Sequence, residues 1–217
     1  MALPDEIIPI PNPDKTFHES WYEGRNSLNI PHPSRACLLG RPNSGKTTVI
    51  KNIILRAKPV FQHIILIHCD PDYTKEYDDL LCLKLSSIPA PHEWPGQVKT
   101  LVILEDLEFK GMSKQQKRNL DRLYGNVSTH KNISCILTAQ DFFNVAPCVR
   151  RMSNLFVLWA SQDLDSMSTI ARKAGLTAQE LKELFERYAQ GPKDSVWLDN
   201  TDRTPARIRI NGFQVIQ

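Results

Sequence analysis

The chain has no Cys-x-x-Cys pair, no apolar run near the ~20 residues that span a bilayer, and no amino-terminal apolar stretch of the secretory kind. Each absence removes a class of function. Without paired cysteines there is no zinc ribbon or dithiol redox centre, so Cys37, Cys69, Cys82, Cys135 and Cys148 are expected as reduced core thiols. His63, His68 and Cys69 belong to "HIILIHC", where strand edges explain them better than a metal site. The expected setting is soluble and intracellular, with no membrane partner. Charge of one sign is also scarce: 27 basic against 24 acidic residues leave a net charge of +3, too little to argue for nucleic acid without a favourable distribution. With 217 residues and 41% apolar content, the chain can bury one full core.

Only nine glycines occur, and two of them stand in "GRPNSGKTT", residues 40–48. Gly40, Gly45, Lys46 and Thr47 fill every fixed position of the G-x-x-x-x-G-K-[ST] phosphate loop. The glycines let backbone N–H groups turn toward phosphate oxygens, and the following helix adds its positive end. Nucleotide contacts are therefore expected from Gly40, Arg41, Pro42, Asn43, Ser44, Gly45, Lys46, Thr47 and Thr48. Lys46 suits the β- and γ-phosphates of ATP, and the Thr47 hydroxyl suits Mg²⁺. Apolar Ala36 to Leu39 precede the loop as a buried strand. Val49, Ile50, Ile53, Ile54 and Ala57 follow it at helical spacing.

Residues 1–33 carry Pro4, Pro9, Pro11, Pro13, Pro31 and Pro33 and no periodicity, which predicts an extended arm ahead of a single domain at 34–217. Beyond it, strands at 35–40, 63–69, 99–105, 132–139 and 154–159 alternate with helices at 47–57 and 113–127. That is the pattern of an α/β fold with a mainly parallel sheet flanked by helices. A capping box Ser113 to Gln116 opens the second helix, with Leu120, Leu123, Tyr124 and Val127 on one face. Another, Thr177 to Glu180, opens a helix with Leu181, Leu184, Phe185 and Tyr188 inward. "SVWLDN" and "ARIRIN" suggest a closing strand pair.

The strand "TLVILED" ends in Glu105 and Asp106, where a phosphate-loop enzyme keeps a carboxylate for Mg²⁺ and another for the attacking water. By position Glu105 takes the metal and Asp106 the water; an Asp-first order would reverse this. "NISCILTAQ" delivers Gln140 to the same sheet edge, and an amide there can donate to a phosphate oxygen and accept from water. Arg150 and Arg151 precede the next strand. A guanidinium in that place either is solvated surface charge or stabilises a transferring phosphoryl group from a neighbouring subunit.

The ordered set "GRPNSGKTT", "LVILED", "ISCILTAQDFF", "CVRRMSNLFVLW" and "RIRIN" resembles the FtsK/HerA superfamily of DNA-pumping ATPases. Within it, the chain is most similar to the small genome-packaging ATPases of poxvirus-like viruses, virophages and polinton-type elements, over Leu28 to Asn211. The resemblance implies a RecA-like P-loop NTPase fold and a homo-oligomeric ring, hexameric in form. It also implies Arg150 or Arg151 completing the next subunit's site, and double-stranded DNA in the pore. A packaging role adds capsid vertex proteins as partners and a virion or host-cell assembly site as location. The departure is Glu105-Asp106, where the family usually has Asp-Asp or Asp-Glu. The expectation is a bare motor, without a membrane anchor or an appended DNA-recognition domain.

For DNA contact, Lys114, Lys117, Arg118 and Arg122 lie opposite the apolar face of the helix at 113–127, with Lys110 ahead of it. Such a stripe is otherwise a solvated helix face. "ARKAG" and "ARIRIN" are rival basic surfaces. Two other classes fit the loop alone: a nucleotide-dependent switch or small-molecule kinase, and a structural protein with a vestigial nucleotide site. No guanine-reading N-K-x-D stretch or Arg-rich lid supports the former. Intact Lys46, Thr47, Glu105, Asp106 and Gln140 argue against the latter.

Overall fold

The computed structural model describes residues 25–96, 98–161 and 163–216. Its described strands are β1 (Arg35–Leu39), β2 (His63–Ile67), β3 (Leu83–Leu85), β4 (Thr100–Leu104), β5 (Ile133–Ala139), β6 (Leu155–Trp159), β7 (Ser195–Asp199), β8 (Ile208–Ile210) and β9 (Gln214–Val215). They form one sheet in the order β3-β2-β4-β5-β1-β6-β7-β8-β9. Neighbours from β3 to β6 are parallel, and β7, β8 and β9 add on antiparallel. The expected closing pair is thus a run of three strands.

The helices are α1 (Lys46–Arg56), α2 (Lys114–Arg122), α3 (Ser128–His130), α4 (Pro147–Met152), α5 (Leu164–Lys173) and α6 (Ala178–Tyr188). Alternate strand residues face opposite layers. Cys37, Val102, Leu104, Cys135 and Leu137 meet the side chains of α2, α4, α5 and α6. Leu38, Leu101, Ile103, Ile136 and Val157 meet Ile50 and Ile53 of α1 together with Tyr77 and Trp197. Burial on both faces explains why these strands read as unbroken apolar runs rather than alternating ones.

The helix expected over 113–127 is interrupted. After α2, residues Leu123–Val127 form a π turn that leads into α3, at the weak helix formers Gly125 and Asn126. Leu123, Tyr124 and Val127 stay buried, so the apolar face survives the wider turn. Its capping box is only half made. Ser113 accepts from the Gln116 N–H at 3.2 Å, but the Gln116 side chain instead pairs with both backbone groups of Ile88. The second box, Thr177 with Glu180, is complete. Tyr188, expected inward, is 38% exposed and Ala189 is buried in its place. Cys37, Cys135 and Cys148 are buried, whereas Cys69 is exposed and Cys82 partly so, because both lie past strand ends; all five thiols are free.

Residues 25–33 are docked on the domain through buried Ile30 and the Arg25 ion pair with buried Asp199 of β7. Most of the proposed arm, residues 1–24, lies outside the described residues. His32 ties this segment down: one ring nitrogen lies 2.7 Å from Ser134 Oγ and the other 2.5 Å from Asn132 Oδ1. Burial lowers its pKa to about 4. Between about 6.5 and 4 the unfolded chain therefore holds a proton that the native state refuses, so stability is full above 6.5 and is lost as pH falls. By linkage the loss is about 2 kcal/mol, after discounting for the ring's partial exposure. Thermal melting from pH 7 to 4.5 is expected to fall more steeply for the wild type than for His32→Gln; parallel curves would show that His32 is not the group responsible.

Candidate active site

The loop after β1 is shaped by sterics at both ends. A Cβ on Gly40 would meet Ser44 Oγ at 2.5 Å and Trp159 Cε3 at 2.9 Å, so only glycine fits. Gly45 turns with φ of 106° and Asn43 with φ of 61°, the left-handed region that glycine and asparagine tolerate. The Gly40 N–H donates to the Ala139 carbonyl at 3.1 Å, fixing the loop to β5. No side chain caps α1 and no acid sits in its first turn, leaving its first N–H groups free for an anion. Ser44 Oγ is buried without a hydrogen-bond partner among the described residues, an unmet polar atom inside the cradle. Lys46 Nζ donates to the carbonyls of Gly40 and Arg41 at 2.8 and 3.0 Å. Burial lowers its pKa, opposed by the charges of Asp106 and Glu105. Thr47 is half-buried at the helix start, while Arg41, Pro42, Asn43 and Thr48 are exposed.

β4 brings in the acids. Leu101 to Leu104 are each at most 1% exposed, which contributes about 1.5–3 kcal/mol per side chain. Glu105, next in sequence, is only 7% exposed. Burial raises its pKa to about 7, against the Tyr77 hydrogen bond, which lowers it. Holding it charged costs about 3 kcal/mol, less than the strand's apolar anchoring supplies. The Glu105 N–H donates to the Ile67 carbonyl of β2 at 3.0 Å. Asp106 then turns outward with φ of 45°, and its N–H donates to Thr138 Oγ1 at 3.4 Å. The acids thus diverge, Glu105 inward and Asp106 into solvent.

Tyr77 was not legible as a site residue. Fully buried at the end of a short turn (Lys75–Tyr77), it donates its hydroxyl to Glu105 Oε1 at 3.1 Å, and the Thr47 side chain adjoins the same hydroxyl. Burial and the Glu105 charge raise the phenol's pKa, so it stays a donor. No motif marks it; it is an aromatic inside the polar stretch "TKEYDD".

Strand order completes the arrangement. β5 lies between β1 and β4, so Gln140 stands between the loop and the acids, exposed at the sheet edge. A cleft of about 420 Å³ runs from Asp106 and Gln140 to Phe109, Lys110 and Asn144. Neither Arg150 nor Arg151 lines the pocket beside Gly40 and Arg41. They lie in the last turn of α4, four and three residues before Asn154, whose N–H donates to the carbonyl of Arg35 at the opening of β1. Arg150 lies over the rings of Phe142 and Phe143 at 5.5 and 5.8 Å, whereas Arg151 is exposed. Of the basic stripe, Lys110, Lys114, Arg118 and Arg122 are exposed. Lys117 instead folds over Phe109 at 5.0 Å and donates to the Lys110 carbonyl.

Neither a protein-family model nor a curated protein matches the chain. Among solved structures, the genome packaging NTPase B204 of Sulfolobus turreted icosahedral virus 2 in complex with sulfate matches with a TM-score of 0.59 at 16% identity, over 85% of this chain and 98% of that one. Its complex with ATP-gammaS gives 0.55 at 16%, over 85% and 99%. The conjugation coupling protein TcpA of pCW3, with ATPgS, gives 0.56 at 12%, over 85% of this chain and 61% of its own. The chain has a RecA-like P-loop NTPase fold. Within this fold no group of three or more His, Cys, Asp or Glu is placed to hold a metal among the described residues. The hard oxygens of Thr47 and Glu105 suit Mg²⁺ only if phosphate oxygens complete its shell. No described helix is long and apolar enough to cross a membrane.

Proposed function

We propose that this chain is an ATP-hydrolysing motor of the FtsK/HerA type that moves double-stranded DNA, packaging a viral genome into a preformed capsid. The observation that carries this reading is the sheet order, which sets loop, Gln140 and acid pair side by side on one edge. The match to nearly the whole length of a viral genome packaging NTPase supports it. In this account Lys46 holds the β- and γ-phosphates and Gln140 aligns the γ-phosphate or the attacking water. Asp106 takes the water's proton. Glu105 and Thr47, joined through Tyr77, hold Mg²⁺, whose bound charge would offset the negative charge gathering on the phosphates. Arg151, which stacks on no ring among the described residues, reaches the site of the next subunit in a ring, proposed as hexameric. Capsid vertex proteins would dock the ring, in the virion or at the assembly site.

The cleft from Asp106 leads to Lys110 and Met112, just ahead of α2, and to Leu120 on it, so a change at the acids has a short path to a basic surface. Lys110, Lys114 and Arg118 are proposed to hold DNA phosphates without reading bases. Duplex binding in the presence of ATPγS, titrated against salt, tests this. The wild type is expected to bind with a steep salt dependence, and the triple Ala variant at these positions to lose about two to three units of log–log slope. An unchanged slope removes this stripe, and absence of duplex binding by the wild type overturns DNA handling itself.

A further inference from the structure

We infer that the cavity between α1 and the β8–β9 turn seats the base of the bound nucleotide and selects adenine. This rests on the reading of residues 40–48 as a triphosphate site. β5 and β4, carrying Gln140, Glu105 and Asp106, lie on one side of β1, while β6, β7 and β8 lie on the other. A triphosphate whose γ end meets the acids must therefore leave the loop the opposite way, over the first turn of α1 and past Thr48. A cavity of about 150 Å³ opens there, between Thr48, Val49 and Asn52 of α1 and Trp197, Asn211 and Phe213 of the C-terminal strands.

The walls suit a flat aromatic ring with a polar edge. Gly212 turns with φ of 80°, and a Cβ there would come within 3.0 Å of the Trp197 ring, so the turn lies flat on the indole and sets Phe213 at the cavity mouth. Phe213 is 58% exposed and carries the Arg56 guanidinium over its ring at 5.3 Å. Asn52 supplies selectivity. Its Nδ2 donates to the Thr48 carbonyl at 2.9 Å, which orients the amide and leaves Oδ1 as an acceptor. An acceptor matches the exocyclic amine of adenine and opposes the O6 carbonyl of guanine. Asn211 is already committed, accepting from the Ser195 N–H and donating to Asp194, so it shapes the wall without reading the base.

The test compares ATP, GTP and inorganic tripolyphosphate binding to the full chain, Phe213→Ala, Asn52→Leu and Lys46→Ala. Phe213→Ala is expected to weaken ATP binding about tenfold through loss of the ring contact, with tripolyphosphate affinity unchanged. Asn52→Leu is expected to bring ATP and GTP affinities together. Photolabelling of the wild type with 8-azido-ATP is expected on the peptide containing 211–213 or on α1. Wild-type ATP affinity and selectivity in both cavity variants, with Lys46→Ala still abolishing ATP binding, would overturn the base site alone. ATP binding untouched by Lys46→Ala would overturn the triphosphate site and this inference with it. Phe213 is on a surface turn, so its loss is not expected to alter melting, and an unchanged melt excludes unfolding as the cause.

Discussion

Asp106→Asn is expected to lower ATP turnover about a thousandfold, within the range that a positioned general base supplies, while ATP affinity changes little. The side chain is exposed at the sheet edge beside Gln140 and makes no hydrogen bond or ion pair among the described residues, so the loss is expected to fall on the chemical step. Single-turnover hydrolysis beside equilibrium ATP binding separates the two. Glu105→Gln is expected to differ: its carboxylate is buried on Tyr77 near Thr47, so the variant raises the Mg²⁺ concentration needed for half-maximal rate. If the variants exchange signatures, the acids exchange roles. Unchanged turnover in Asp106→Asn would remove it from catalysis.

The second large effect concerns the neighbouring subunit. Arg151→Ala is expected to cost about 10³ in turnover, as loss of an arginine acting on the transferring phosphoryl group does. Because the residue would act across an interface, two inactive variants should repair each other. An Arg151→Ala subunit keeps an intact site, and an Asp106→Asn subunit keeps an intact arginine. Mixed and reassembled at equal amounts, they are expected to recover about a quarter of wild-type turnover, the share of head-to-tail interfaces that pair a good site with a good arginine. No recovery at any ratio would contradict a shared site. Arg150, held over two phenylalanine rings, is expected to act on stability instead, and Arg150→Ala to lower the melting temperature.

Much of the candidate site's geometry was legible because it is fixed by backbone needs. Gly40 tolerates no Cβ, Gly45 requires a positive φ, and Glu105 follows four apolar residues that can only be a buried strand. The remaining elements carry no periodic or motif signal. β3 has three residues and is an edge strand. α5 buries only Ser166, Ile170 and Ala171 and exposes Leu164, so its apolar stripe is too thin to read. Tyr77 reaches Glu105 from 28 positions upstream, a contact that only the sheet order brings about. The π turn arose where Gly125 and Asn126 weaken a helix whose apolar spacing otherwise continues.

The central claim is that nucleotide chemistry at the loop is coupled to duplex DNA. It is tested most directly by steady-state ATP hydrolysis at one fixed salt concentration, with and without long duplex DNA, alongside Lys46→Ala. The account requires turnover that rises when DNA is added and disappears in the variant. Turnover that depends on Lys46 but is indifferent to DNA would leave a P-loop ATPase and contradict the motor.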